Sequence, residues 1–418
     1  MPMRRQLERR CLEGSGRIHR VAQVATRSLG RAAALSLLAI AWLTLSAQPA
    51  SAGPREQAKR IHDRLVGTPP SAAVLDAMAT ILSTPGADPL DAALLAMQDP
   101  EFYRTALKNY FTPFTNEEQT AYAPLNDYSA TAIGMLRDDV PWNEVLSADL
   151  VYRGAQGVVS TGYSHTNNDH YVELEENRID LGDPALFVGV PQSSIGNSPL
   201  MSQDTAGVVT TRQGAAAFFS AGTNRRMWRF TAMNFLCRDM EELKDISRPA
   251  DRIRQDVTRS PGGDSSLFMN HCVGCHSGMD PMAQAYAYYE WDDVNMRLDY
   301  TPGMVQGKYL INANAFPGGF VTVDDRWDNM WRAGDNYVLG WPSTPAGGFG
   351  AKSLGYEVTG SRAFSECQVQ RVFERVCFRT PNSQADADAI RDTADSFEAN
   401  NYSLKRVFAE VAVHCMGN

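Results

Sequence analysis

The chain has 418 residues, with 39 basic and 48 acidic side chains and a formal net charge of −9. Eight arginines (Arg4, Arg5, Arg9, Arg10, Arg17, Arg20, Arg27, Arg31) and two glutamates (Glu8, Glu13) fall within the first 52 residues, so the remainder carries 31 basic against 46 acidic residues, a net charge of −15. That balance argues against nucleic acid or an anionic membrane surface as partner, and the length asks for two or three domains.

The eight arginines form a basic n-region, residues 32–45 an apolar run, and Ala50-Ser51-Ala52 an A-x-A cleavage site. Residues 1–52 are therefore expected to be a secretory signal peptide, which makes the protein periplasmic or otherwise exported. The apolar run is too short to span a bilayer, so no membrane span is expected after cleavage. No Cys follows the cleavage site, as a bacterial lipid anchor would require.

Residues 53–210 form the first expected division, an N-terminal helical module followed by a loop-rich, partly β segment. Asp88-Pro89 and Asp99-Pro100 each place a capping carboxylate before a proline at the first helical position. Val74, Leu75, Met78 and Leu82, then Leu90, Leu94, Leu95 and Met97, sit near helical spacing and read as core. Beyond residue 111 the chain is rich in Asn, Asp, Gly and Ser, with short strands expected at 149–152 and 186–190. Residues 164–175 gather His165, His170, Asp169, Glu173 and Glu175. Their spacing matches no rigid metal-ligand scheme, and a polar turn is the simpler reading.

Residues 211–418 form the second expected division. Helix is expected near 213–244, where Phe230, Met233, Cys237 and Met240 share one face, and a loop over 245–266. Then comes Cys272-Val-Gly-Cys275-His276, the attachment pattern of c-type haem. Two thiols three positions apart suit the two vinyl groups on one porphyrin edge, and the adjacent His276 falls under the iron as axial ligand. A zinc site would want a second pair of ligands at comparable spacing, and a thioredoxin-like pair a βαβ context; neither is present in the sequence. Asp280-Pro281 is expected to start a new helix directly after the motif. An aromatic, Gly-rich stretch follows over 300–355, then helices over 362–378, 383–399 and 403–415.

Several blocks resemble the large exported c-type cytochromes of the planctomycete type. Arg64-Leu-Val-Gly67-Thr-Pro69-Pro70 with Asp99-Pro-Glu-Phe102 is similar to their N-terminal helical module. Thr211-Arg212, Asn234-Phe-Leu-Cys237 and Cys272-x-x-Cys-His276-x-x-Met279-Asp280-Pro281 are similar to their haem module. The likeness is scattered over residues 60–300. It departs at Tyr286-Ala-Tyr-Tyr-Glu290-Trp-Asp292, where those proteins usually carry an apolar-Glu-Asn-Phe-Asp phrase. The resemblance implies covalent haem c, one per chain, and export, and says little about substrate. With the helical spacing along the chain, the expected fold is mainly α, a multi-helix cytochrome c-like haem module with an N-terminal helical module and a loop-rich, partly β middle segment.

The expected activity is one-electron transfer by a monohaem cytochrome to a redox partner protein, with Cys272 and Cys275 holding the porphyrin and His276 ligating iron. The rival is a haem-dependent oxidoreductase, peroxidase- or dehydrogenase-like, with an open sixth iron position; a third reading makes haem a structural staple. Met279, Met282 and His271 lie too close to His276 in sequence to reach the far side of the ring. Met304, Met330, His165 and His170 remain as sixth-ligand candidates. Cys237, Cys367, Cys377 and Cys415 are an even set in an oxidising compartment. Cys367 and Cys377, ten residues apart on one helix, would stand about 15 Å apart and cannot pair. Two connectivities survive: Cys237–Cys367 with Cys377–Cys415, or Cys237–Cys377 with Cys367–Cys415.

Overall fold

Short polar side chains start many of the helical segments. Ser71, Asp88, Asn126, Thr211, Asp264, Ser361, Ser383 and Ser403 each accept a backbone N–H in the turn that follows. Each cap satisfies donors that have no partner inside the helix. The computed structural model describes residues 52–343 and 346–417; the basic region and apolar run of the expected signal peptide lie outside them.

Three helices open the described chain: α1 (Pro54–Val66), α2 (Ala72–Ser83) and α3 (Pro89–Ala96). A π-turn at Phe102–Leu107 runs into Lys108–Phe111, and the buried α4 (Asp127–Arg137) follows. Next come β1 (Val151–Gly154), α5 (Asp169–Glu176), β2 (Phe187–Val190), α6 (Arg212–Phe218), α7 (Arg225–Leu236) and α8 (Val273–Ala283). Two short strand pairs follow: β3 (Tyr289–Asp292) with β4 (Arg297–Tyr300), and β5 (Arg326–Asp328) with β6 (Gly347–Phe349). The chain closes with α9 (Gly350–Thr359), α10 (Arg362–Cys377), α11 (Gln384–Ala399) and α12 (Leu404–His414). Among the described residues the fold is mainly α, with strands only in two-stranded antiparallel pairs. The two strands expected in the loop-rich segment pair with each other, from Val151 opposite Val190 to Gly154 opposite Phe187.

Residues 53–418 are one compact unit, and its core draws on both sides of residue 210. Phe114 packs edge-on against Phe235 and Phe102 edge-on against Phe408, while Phe111 lies tilted against Trp142. The buried Trp142 indole donates to Gln368 Oε1 at 3.0 Å, so the indole N–H is satisfied inside the core. Helix α12 seals this core by packing on α1 and α3.

Both disulfides join elements of the C-terminal half. Cys237 pairs with Cys367 and Cys377 with Cys415, with Cα separations of 5.3 and 5.6 Å. This is the first of the two connectivities that helix geometry allowed, and Cys367 and Cys377 do share the one helix α10.

Two expectations are corrected. The helix expected over 213–244 is broken between Phe218 and Arg225 and ends at Leu236. Ala221, Gly222 and Asn224 take left-handed backbone there, and Asn224 Nδ2 donates to the carbonyls of Tyr286 and Tyr289. The break thus anchors the segment that follows the motif helix. At the other end Cys237 is itself left-handed, which stops α7 where its disulfide begins. Asp280-Pro281, expected to start a helix, lies inside α8. Asp280 turns its carboxylate inward, to Arg225, His276 and the Arg254 backbone N–H, instead of capping a helix. Pro281 near the helix end removes only one backbone bond, the one its own nitrogen would have made to Ser277.

Candidate functional site

Asp264 caps a single turn, Ser265–Leu267; a π-turn over Phe268–Cys272 follows and leads directly into α8. Such π-turns interrupt helices often at functional sites. Cys272, Cys275 and His276 fall at i, i+3 and i+4, one face of the turn.

The opposite face is built from glycine. A Cβ on Gly278 would stand 2.0 Å from Trp331 Nε1, and one on Gly274 would stand 2.6 Å from Lys244 Cγ. Gly278 lies about 200° around the helix from His276. The fully buried Trp331 therefore clamps the back of α8 and turns the Cys/His face outward. That face is part-exposed, and the turns that precede it carry the exposed apolar side chains Leu267 and Met269. Cys272 and Cys275 are free thiols. Cys275 Sγ lies 3.4 Å from the Met240 carbonyl oxygen, and burial pushes its pKa up.

His276 is held by one nitrogen. Its Nδ1 lies 3.0 Å from Asp280 Oδ1, and Nε2 has no hydrogen-bond partner among the described residues. Asp280 is fully buried and also accepts from Arg225 Nε at 2.6 Å, Arg225 Nη2 at 2.9 Å and the Arg254 backbone N–H at 3.1 Å. The other edge of Arg225 grips Asp256 with two bonds of 2.7 Å. Burial alone would raise the Asp280 pKa; the Arg225 guanidinium and His276 outweigh it and hold the carboxyl well below its usual range. An ionised carboxylate only accepts, so the His276 nitrogen that faces it, Nδ1, is the donor, and Nε2 is the nitrogen left to face outward. That is the arrangement in which a histidine ligand is oriented by a carboxylate behind it. The donor set therefore suits haem, which brings four nitrogens of its own and asks the chain for two thiols and one imidazole.

The other expected residues are placed as follows. His170 is buried and both ring nitrogens are engaged, Nε2 accepting from Gly154 N at 3.0 Å and Nδ1 lying 2.6 Å from the Thr161 carbonyl. Glu173 accepts from Ser160 and Thr161, and Glu175 from Leu125 N. The segment expected as a polar turn is helical from Asp169 onward, as the start of α5, and its His170, Glu173 and Glu175 pin the neighbouring loops. His165 lines a different cavity of about 450 Å³ together with Tyr163, Arg212, Arg297 and Tyr300. Met304 is exposed, and Met330 adjoins Trp331 on the glycine side of α8. No hydrogen bond or ring contact joins any of these four to His276. No group of three or more His, Cys, Asp or Glu side chains among the described residues is placed to hold a metal ion by itself.

Sequence reading missed Asp280, Arg225, Asp256 and Trp331. Asp280 had a signal, since a carboxylate four residues after a helical His shares its face. Arg225 lies 55 residues upstream and left none. Comparison with family models, with curated proteins and with solved structures returns no match.

Proposed function

We propose that the protein is an exported c-type haem protein that transfers single electrons, with Cys272 and Cys275 as the covalent attachment sites and His276 Nε2 as the iron ligand. The observation that carries this reading is the contrast within one turn: two unpaired thiols and one imidazole nitrogen left unspent on the same outward face, with the imidazole fixed from behind by a buried carboxylate. Haem bound there supplies a one-electron couple whose potential depends on ligand, burial and hydrogen bonding. The chain's own part is to fix the Nδ1–H tautomer through Asp280, to aim Nε2 outward, and to keep the Cys/His face open by clamping α8 with Trp331. The likeness of the motif block to planctomycete-type exported cytochromes supports the same reading. Export is supported by the two disulfides, and among the described residues no helix is long and apolar enough to cross a membrane.

The test is acid–organic extraction with a mass measurement of the protein matured in a cytochrome-assembling host. The expected result is one haem that resists extraction and is lost when Cys272 and Cys275 are replaced. Haem that extracts freely, or a mass without porphyrin, overturns the assignment. The cavity beside His165 favours a second reading, a haem-dependent oxidoreductase with room for a small substrate. Rapid cyanide binding with peroxide turnover would select it; slow binding would select the carrier.

A further inference from the structure

We propose that Asp280 is a positioning residue that sets the redox poise of the site, biasing it toward the oxidised form through the His276 imidazole, and that Asp256 adjusts this bias through Arg225. The inference rests on the haem reading above.

A histidine ligand can be oriented by a neutral carbonyl or by a carboxylate. Both fix the tautomer, but only the carboxylate brings a full charge to the ring. Here the acceptor is a carboxylate with no exposure to solvent, 3.0 Å from Nδ1, in surroundings where charge is weakly screened. Its negative charge favours the state of the site with the extra positive charge, which is the ferric one. The ionised form is secured by three further donors, two from Arg225 and one from the Arg254 backbone.

Arg225 decides how much of that charge the ring feels. Its guanidinium bonds both Asp280 oxygens on one side and both Asp256 oxygens on the other, with Arg254 Nε a further 3.9 Å from Asp256. Because Asp256 shares the cation, Asp280 is only partly neutralised. A carboxylate that does not touch His276 thereby reaches it through one intervening side chain. A role confined to holding the fold would need none of this polarity, since a buried ion pair often gains little stability over apolar packing.

The experiment is an equilibrium redox titration of the haem-loaded protein, as wild type, Asp280→Asn and Asp256→Asn, each first checked by mass for one covalent haem. Asp280→Asn keeps an oxygen acceptor for Nδ1 but removes the charge. It should raise the midpoint potential enough to change the ferric-to-ferrous ratio at least tenfold at fixed potential, about 59 mV for one electron. Asp256→Asn leaves more of the Arg225 charge for Asp280 and should shift the potential upward by a smaller amount, with thermal stability as its control. If Asp280→Asn fails to fold, Asp256→Asn alone decides. Covalent haem with potentials unmoved or lowered in the variants overturns this inference and leaves the haem reading intact. Absence of covalent haem from the wild type overturns both.

Discussion

The six described cysteines divide between two regions that treat the same side chain in opposite ways. In the C-terminal helices Cys367 and Cys377 sit on buried faces of α10 and are each spent on a disulfide. In the motif turn Cys272 and Cys275 are part-exposed and unpaired. Histidine repeats the contrast: His170 on α5 has both nitrogens engaged, whereas His276 on α8 has one engaged and one without a partner among the described residues. The lesson is that composition does not mark a site. Unspent valence on an outward face, backed by a buried tether, does.

The contrast is broken most severely through the disulfides. Removing the Cys237–Cys367 bridge by paired alanine substitution should cost about 5 kcal/mol, because its loop closes over 130 residues. Replacing Cys272 and Cys275 with serine should cost no more than about 1 kcal/mol in chain made without haem. Urea unfolding of the two double variants measures both. A comparable loss from the motif pair would show those thiols to be structural.

The histidines sharpen it. His170→Ala strands the Gly154 N–H and frees the 160–165 loop, so stability should fall by about 1–3 kcal/mol with the haem spectrum unchanged. His276→Ala should leave stability nearly untouched while abolishing the low-spin ferrous spectrum. Thermal melts and optical spectra, taken together on each variant, test the reciprocal pattern; the same response from both variants would erase the distinction.

The smallest effect concerns two aspartates. Asp280 is held ionised by Arg225, but Asp325 forms no ion pair among the described residues. Burial pushes its pKa up to about 6, with Asp324 and Asp204 adding to the rise, and Tyr288 and Tyr300 also face it. A carboxyl that ionises less readily folded than unfolded makes the native state bind more protons between the two pKa values. Stability should therefore decline as pH rises from about 4 to 6. Asp325→Asn should flatten that decline in melts recorded across this window, and a slope identical to wild type would refute the assignment.

Much of this was legible in the sequence, and the reason is locality. Asp88-Pro89 marks a helix start within two residues, the ten-residue gap between Cys367 and Cys377 forbids their pairing by length alone, and the 149–152 and 186–190 strands are short apolar runs between turns. What was hidden depends on contacts across sequence. The break before Arg225 follows from Asn224 reaching Tyr286 and Tyr289, and Gly278 is a glycine because Trp331, 53 positions later, occupies the space of its Cβ. The Cys-x-x-Cys-His pattern itself was visible; the carboxylate behind His276 was within four residues of it, and its cation was not.

The sealing of α1 and α3 by α12 has a kinetic side. Gln57 Nε2 donates to the Gly417 carbonyl, a contact spanning 360 positions, and Arg64 reaches the Val376 carbonyl. Closing so large a loop carries an entropic cost of roughly 5 kcal/mol that must be met before those contacts form, and such distant closures slow folding. A chain emerging from its amino end has to keep the 54–96 helices unsealed until residue 414 is available. The thiols at 272 and 275 emerge long before that, so the attachment proposed for them would have a window in time that opens before the core shuts.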